Sequence, residues 1–179
     1  MYKYCTTEES VRRQRQLEQC LQELLLVENY AQITISDICD RAGIARKSFY
    51  RYFSSKEGCL CALLDHAVFD GASLYLLGVG EEHSPHIIYE RFFQYWKEKS
   101  ELLDALDRNG MSTRLVERMV QYVMQEEKDF RSLVFDPNVD AHERGMFYTG
   151  GVMTLVLDWH KSGYSKSVLQ MSNILNNLI

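Results

Sequence analysis

An all-α fold is predicted by three features of the chain. Its 179 residues hold only two prolines, Pro85 and Pro137, so little interrupts long helical runs. Apolar residues recur at three- and four-residue spacing in nearly every segment, which gathers them on one helical face. No alternating strand pattern, internal repeat or low-complexity stretch competes with that reading. About nine helices are expected, divided between a three-helix head over residues 1–56 and a helical body over residues 57–179.

The first helix starts at Glu8 or Ser10 and runs to about Glu28, with Leu17, Leu21, Leu24 and Leu25 as its stripe. Residues 1–9 ahead of it read as frayed. Arg12, Arg13 and Arg15 sit near its start, where cations oppose the helix dipole; solvation or a nearby phosphate would relieve them. Thr34 then caps a second helix, with Asp37 three residues on in capping-box spacing. Ile35, Ile38, Cys39 and Ala42 form its apolar face, and Gly43 allows a left-handed exit. A third helix begins near Ala45 and buries Phe49 and Phe53. To solvent it shows Arg46, Lys47, Ser48, Tyr50, Arg51 and Tyr52, followed by Lys56, with no carboxylate between Asp40 and Glu57. Two helices meeting at a glycine-containing turn, the second basic and polar outside, make a helix-turn-helix, whose second helix enters a DNA major groove. An ordinary helical hairpin with a solvated basic face shares that spacing.

Ser54 or Ser55 caps the fourth helix, with Gly71 as a bend and Gly78 and Gly80 as its end. Residues 81–84 are a polar break, and Pro85 suits the first turn of a helix rich in aromatics: Tyr89, Phe92, Phe93, Tyr95 and Trp96. Ser100 and Glu101 open a short helix that closes at Asn109-Gly110. Ser112 or Thr113 starts the next, reaching residue 133 with Leu115, Met119, Tyr122 and Val123 on one face. A loop carrying Pro137 leads to Asp140, which caps a helix almost wholly apolar from Met146 to Trp159. Gly150-Gly151 weakens that helix unless a neighbouring backbone comes close. Gly163 closes it, and Ser165 or Ser167 caps a last helix with Val168, Met171, Ile174, Leu175 and Leu178 as its stripe.

Composition excludes several function classes. Hydrophobic residues at 46% and charged residues at 25% are ordinary for a soluble globular protein. No apolar run approaches the roughly 18 residues of a membrane span, and MYKYCTTEESVRRQRQ lacks the apolar centre of a signal peptide. The expected location is therefore cytoplasmic, with no membrane partner. The net charge of −5 is uneven: residues 1–56 hold nine Lys/Arg against seven Asp/Glu, a net of +2, and residues 57–179 hold eleven against eighteen, a net of −7. Local charge governs phosphate attraction, so the global sign does not exclude DNA, though it argues against indiscriminate nucleic-acid coating. Cys5, Cys20, Cys39, Cys59 and Cys61 are odd in number and read as small apolar packing groups rather than a disulfide framework. Cys59-x-Cys61 lacks a second ligand pair for zinc. The histidines (His66, His83, His86, His142, His160) are scattered, and no nucleophile elbow or phosphate-binding glycine loop accompanies them. No catalysis, metal site or cofactor is expected.

GIARKSFYRYFSSKE, residues 43–57, resembles the signature of the tetracycline-repressor (TetR) family, close to G-V-S-x-G-T-L-Y-x-Y/H-F-x-S-K-E. NYAQITISDIC, residues 29–39, resembles the family's G-Y-x-x-T-T-V-x-D-I-A. Tyr30, Thr34, Asp37, Ile38, Gly43, Tyr50, Phe53 and Lys56 match position by position. The resemblance covers the first third of the chain. Asn29 and Lys47 stand where the family has glycine, and Ala45 where it has a Ser or Thr cap, a loss of about 0.5–2 kcal/mol at the helix start. The resemblance implies a homodimer on double-stranded DNA with a palindromic operator. Arg46, Lys47, Ser48, Tyr50 and Arg51 would meet bases or phosphates; Thr34, Tyr52 and Lys56 would hold phosphates, with Arg12 and Arg13 near the DNA backbone.

Residues 147–179 resemble the tail of the TetR branch that includes the activator of dihydroxyacetone-kinase operons, whose last two helices pair with their twins. An over-apolar helix followed by an apolar terminal stripe also needs a partner surface. Met153, Val156, Leu157, Val168, Met171, Ile174, Leu175 and Leu178 are the expected dimerisation residues. By the same resemblance the body holds an effector pocket, with Phe92, Tyr95, Trp96, Met111, Leu115, Met119, Tyr122 and Tyr148 as candidates; each also fits the core. The implied function is a repressor released from its operator by a small-molecule effector. The alternative is an activator, or a regulator whose body binds a protein co-regulator.

Overall fold

The computed structural model describes residues 1–79, 85–125 and 141–178. Nine α-helices occur among them: α1 Glu8–Leu25, α2 Ile35–Ala42, α3 Arg46–Phe49, α4 Lys56–Val79, α5 Pro85–Glu98, α6 Ser100–Arg108, α7 Ser112–Gln125, α8 Ala141–Lys161 and α9 Val168–Leu178. The expected polar break at 81–84, Gly80, the far end of the helix after Gln125, the loop with Pro137 and the Asp140 cap lie outside the described residues.

The chain divides into two units. The first comprises Met1–His66 with Asp104–Met111. Thr7 caps α1 by accepting the Ser10 N–H, and the buried face of α1 is Leu17, Leu21, Leu24 and Leu25, as the spacing predicts. The helix ends at Leu25, three residues short of Glu28, because the N–H groups of Val27 and Glu28 both turn back to Leu24 O. Buried Glu18 meets His66 Nδ1 at 2.9 Å, with the Arg15 guanidinium 3.9 Å away, so a carboxylate inside the head keeps charged or polar company. Asn109, read from sequence only as a helix end, accepts the Tyr30 N–H at 2.7 Å and donates to the carbonyls of Leu25 (2.9 Å) and Ala105 (2.8 Å). It satisfies backbone groups freed where α1 stops.

Two expectations for this unit are corrected. Residues 1–3 are not frayed: Tyr2 bridges Phe53 in antiparallel fashion, because the backbone after α3 leaves N–H and C=O groups to pair. The third helix is shorter than expected. Helical structure stops at Phe49, and Phe53 reaches the core from the turn that follows, where its N–H still bonds Phe49 O at 3.1 Å.

The second unit comprises Ala67–Leu103 and Ser112–Ile179. Here α7 packs along α8, and α5 packs along α9 and touches α8. Its buried side chains include Phe93, Trp96, Leu115, Val123, Met153, Val156, Trp159, Met171 and Leu175. Phe93 and Trp159 meet edge to face at 5.6 Å, joining α5 to α8. Ser172 Oγ donates to His86 O at 2.9 Å, pinning α9 to α5. Ser167 caps α9: its hydroxyl accepts the Gln170 N–H at 3.2 Å while Gln170 accepts the Ser167 N–H at 2.8 Å. Helix α4 runs through Gly78, so that glycine does not end it.

Candidate nucleic-acid interface

The capping box opens α2. The Thr34 hydroxyl accepts the Asp37 N–H at 3.2 Å, and Asp37 Oδ2 accepts from both the Thr34 N–H and its hydroxyl at 2.7 Å. The Thr34 hydroxyl, then the Thr34 N–H, hold the Asp37 carboxyl below the usual carboxylate range. Thr34, expected at a phosphate, is exposed and has its hydroxyl already engaged in this cap.

Gly43 turns the chain at φ 65°, a left-handed conformation that costs a residue with a Cβ. The N–H groups of Gly43 and Ile44 return to the carbonyls of Asp40 (3.2 Å) and Cys39 (3.0 Å). Gln16 Nε2 donates to Ala42 O at 3.2 Å and Arg41 meets Glu23 at 2.8 Å, so both bonds tie the end of α2 to α1. Ala45 precedes α3 without a side-chain cap, as its residue type dictates. Phe49 and Phe53 are fully buried with rings 5.2 Å apart. That anchor fixes which way the rest of the segment points. Arg46, Lys47, Tyr50 and Arg51 are exposed; Ser48 and Tyr52 are half-buried. Tyr50 stays 51% exposed although its ring edge touches Phe49, so an aromatic hydroxyl is held out to solvent at a desolvation cost. The structure thus brings six of the eight expected DNA-facing residues into one continuous segment.

Lys56 is placed differently from its neighbours. Its ammonium donates to the carbonyls of Tyr30 and Ile33, the latter at 2.6 Å, and lies 4.2 Å from the centre of the Tyr30 ring. Burial pulls its pKa below the ordinary lysine value, while Asp37 acts in the opposite direction. Two of its three N–H groups serve the loop between α1 and α2, a structural duty that spacing gave no sign of. Arg12 and Arg13 are exposed on the first turns of α1.

The expected pocket residues separate by unit. Met111 belongs to the first; Phe92, Tyr95, Trp96, Leu115, Met119, Tyr122 and Tyr148 belong to the second. Tyr95, Trp96, Leu115 and Met119 are buried, and Phe92, Tyr122 and Tyr148 half-buried. Tyr95 donates to Ala67 O at 2.6 Å and its ring meets Trp96 at 5.2 Å. Trp96 Nε1 and Ser112 Oγ are buried without a hydrogen-bond partner. Of the expected dimerisation residues, Met153, Val156, Met171 and Leu175 are buried within the chain, Leu157, Val168 and Ile174 are half-buried, and Leu178 is 63% exposed. The first four are therefore covered by the chain's own helices. Burial pushes the thiols of Cys20, Cys39 and, most strongly, Cys59 above the usual range, which fits packing groups rather than reactive ones. Among the described residues no cluster of three or more His, Cys, Asp or Glu is placed to hold a metal, and no helix is long and apolar enough to cross a membrane.

Residues 22–63 match the family described as bacterial regulatory proteins, tetR family. The HTH-type transcriptional regulator EthR of Mycolicibacterium smegmatis is 46% identical over 44 residues, a stretch that is 25% of this chain and 20% of that protein. Among solved structures, the fatty acid degradation regulator FadR from Bacillus halodurans superposes with a TM-score of 0.62 at 15% identity, covering 98% of this chain and 96% of that one. The dihydroxyacetone kinase operon activator DhaS superposes with a TM-score of 0.56 at 16% identity, covering 94% of each chain. The structural likeness extends the shared fold over the body, and the sequence match lies on the segment that builds α2, the turn and α3. By its helix-turn-helix head, the chain belongs to the TetR family of bacterial regulatory proteins.

Proposed function

We propose that the protein is a homodimeric, DNA-binding transcriptional regulator that represses from a palindromic operator and is released by a small-molecule effector. The observation that carries the DNA reading is the segment from Arg46 to Tyr52. Its apolar side chains are buried, its cations and Tyr50 face solvent, and no carboxylate interrupts it. Cations and hydroxyls on one short element suit phosphates and base edges together.

Dimerisation is supported by what α8 leaves open. Phe147 is 77% exposed and Met146 47%. Cβ atoms added at Gly150 or Gly151 would meet nothing within 4 Å, so no neighbour in the chain itself accounts for two helix-weakening glycines. A twin helix passing close by would account for them, and a two-fold dimer would present two heads to the halves of a palindrome. An effector is supported more narrowly, by the unpartnered N–H of Trp96 and hydroxyl of Ser112, since buried polar groups without partners are rare. A ligand with a hydrogen-bond acceptor would satisfy Trp96.

Fluorescence anisotropy against the protein's own upstream intergenic DNA, titrated with salt, tests the reading. Tight, sequence-dependent binding with a steep salt slope is expected. Affinity equal to that for random DNA would refute it. Compounds that release this DNA and shift Trp96 fluorescence, with Trp159→Phe removing the second tryptophan, would identify the effector class. Release only by a protein would replace the small molecule with a co-regulator.

A further inference from the structure

Met1–Lys3 runs antiparallel to Tyr52–Ser54, at the end of the basic segment. The Lys3 N–H donates to Tyr52 O at 2.9 Å, and the N–H and hydroxyl of Ser54 donate to Met1 O at 3.2 and 2.7 Å. Three more interactions hold the strand down. The Tyr2 hydroxyl donates to Asp65 Oδ2 at 2.8 Å, the Tyr2 ring meets His66 edge to face at 5.9 Å, and buried Gln14 donates to Lys3 O at 3.1 Å.

This pairing dictates where the side chains go. Tyr2 and Phe53 are opposite one another and share a face, and Phe53 is 1% exposed, so that face is the core side. Alternation then sends Lys3 and Tyr52 together to the other face. Tyr52 closes the row that the proposed function assigns to DNA. Lys3 is exposed, and Tyr4 beyond it is 83% exposed. The backbone of this strand is fixed by hydrogen bonds while its cation is left in solvent beside that row.

We propose that Met1–Tyr4 is a DNA-contacting arm, in which the Lys3 ammonium joins Tyr52 at a backbone phosphate flanking the groove that α3 enters. The proposal rests on the DNA-binding reading above and adds a contact outside the helix-turn-helix. Gly58 makes room for it: a Cβ there would lie 2.5 Å from Met1 O. Alanine at position 58 is therefore incompatible with the docked arm, although within α4 it is the better helix former.

The test is the salt dependence of operator binding by wild type, Lys3→Ala, Lys3→Arg, Gly58→Ala and the Lys3→Ala/Gly58→Ala pair. Lys3→Ala keeps every backbone bond of the strand, so its melting temperature should match wild type. Its salt slope should fall by about 0.9 per protomer, with affinity roughly five- to tenfold weaker near ~0.1 M salt. Lys3→Arg should restore both. Gly58→Ala should reproduce the loss with Lys3 intact, and the pair should be no weaker than Gly58→Ala alone. A Lys3→Ala slope equal to that of a tightly binding wild type, or additive losses in the pair, would overturn the arm and leave the regulator reading standing. A wild type that does not distinguish its operator from random DNA would overturn both.

Discussion

Replacing Lys56 by alanine separates two duties that one ammonium could perform. The group donates to Tyr30 O and Ile33 O and lies over the Tyr30 ring. Both carbonyls belong to the loop that delivers Thr34, so the bonds set the entry of α2. Hydrogen bonds from a charged donor contribute about 1.5–3 kcal/mol each, and a cation over an exposed aromatic ring about 0.5–1 kcal/mol. Lys56 is only half-buried, so water can replace part of what is lost. A net loss of about 2 kcal/mol follows, at the low end of the summed range. In a chain of this size that lowers the melting temperature by about 4–8 °C. Differential scanning calorimetry of wild type, Lys56→Ala and Lys56→Met checks it, since methionine keeps the apolar stem and removes only the charge. Both variants should melt early. Unchanged melting with a reduced salt slope of DNA binding would refute the reasoning and assign the ammonium to phosphate alone.

Three further outcomes follow from the same coordinates. Ala45→Ser supplies the side-chain cap that α3 lacks, in a residue whose backbone is already extended; chemical denaturation should show a gain of about 0.5–2 kcal/mol. Gly71→Ala places a Cβ 2.8 Å from Tyr95 Cε1, and the Tyr95 hydroxyl is fixed on Ala67 O; the ring cannot retreat without losing that bond, so a loss of about 1–3 kcal/mol is expected in the same assay. The Asp37 carboxyl has a lowered folded pKa, so its stabilisation is fully present above the ordinary carboxylate value of about 3.9 and is lost as pH falls through the folded value. Asp37→Asn should therefore be less stable than wild type at neutral pH and converge with it in acid, measured by denaturation across pH.

The head was legible where local chemistry decides structure. Thr34, Asp37 and Gly43 act on atoms within a few residues of themselves, so spacing alone predicts the cap and the turn that the structure contains. The pairing of residues 1–3 with 52–54 joins segments fifty residues apart, and neither carries a strand pattern. Asn109 is the same kind of miss: its amide serves the end of α1 from far along the chain. Lys56 was legible as a cation near a helix start, where the dipole disfavours it, but the oxygens that repay its placement belong to a loop. Gly71 was legible as an interruption in α4, while its cause is the ring of Tyr95 on α5.

In the body the limit is of another kind. Between Met146 and Leu157 helix α8 carries no charge, so no position marks the outside. The chain's own packing breaks the tie: Met153, Val156 and Trp159 are buried. Phe147, Gly151, Thr154 and Asp158 are exposed, at spacings of four, three and four, a single stripe along the helix. The sequence rule that paired glycines need a close backbone thus has no answer inside the protomer, because Gly151 lies on that open stripe. The side of α8 suited to a second copy is the side where the chain has placed its smallest residues next to Phe147. The residues most apolar by type, Met153 and Val156, are already spent on the core. A dimer built on α8 and α9 would therefore close over small and half-buried groups, with Phe147 and Leu178 as its large apolar contributions.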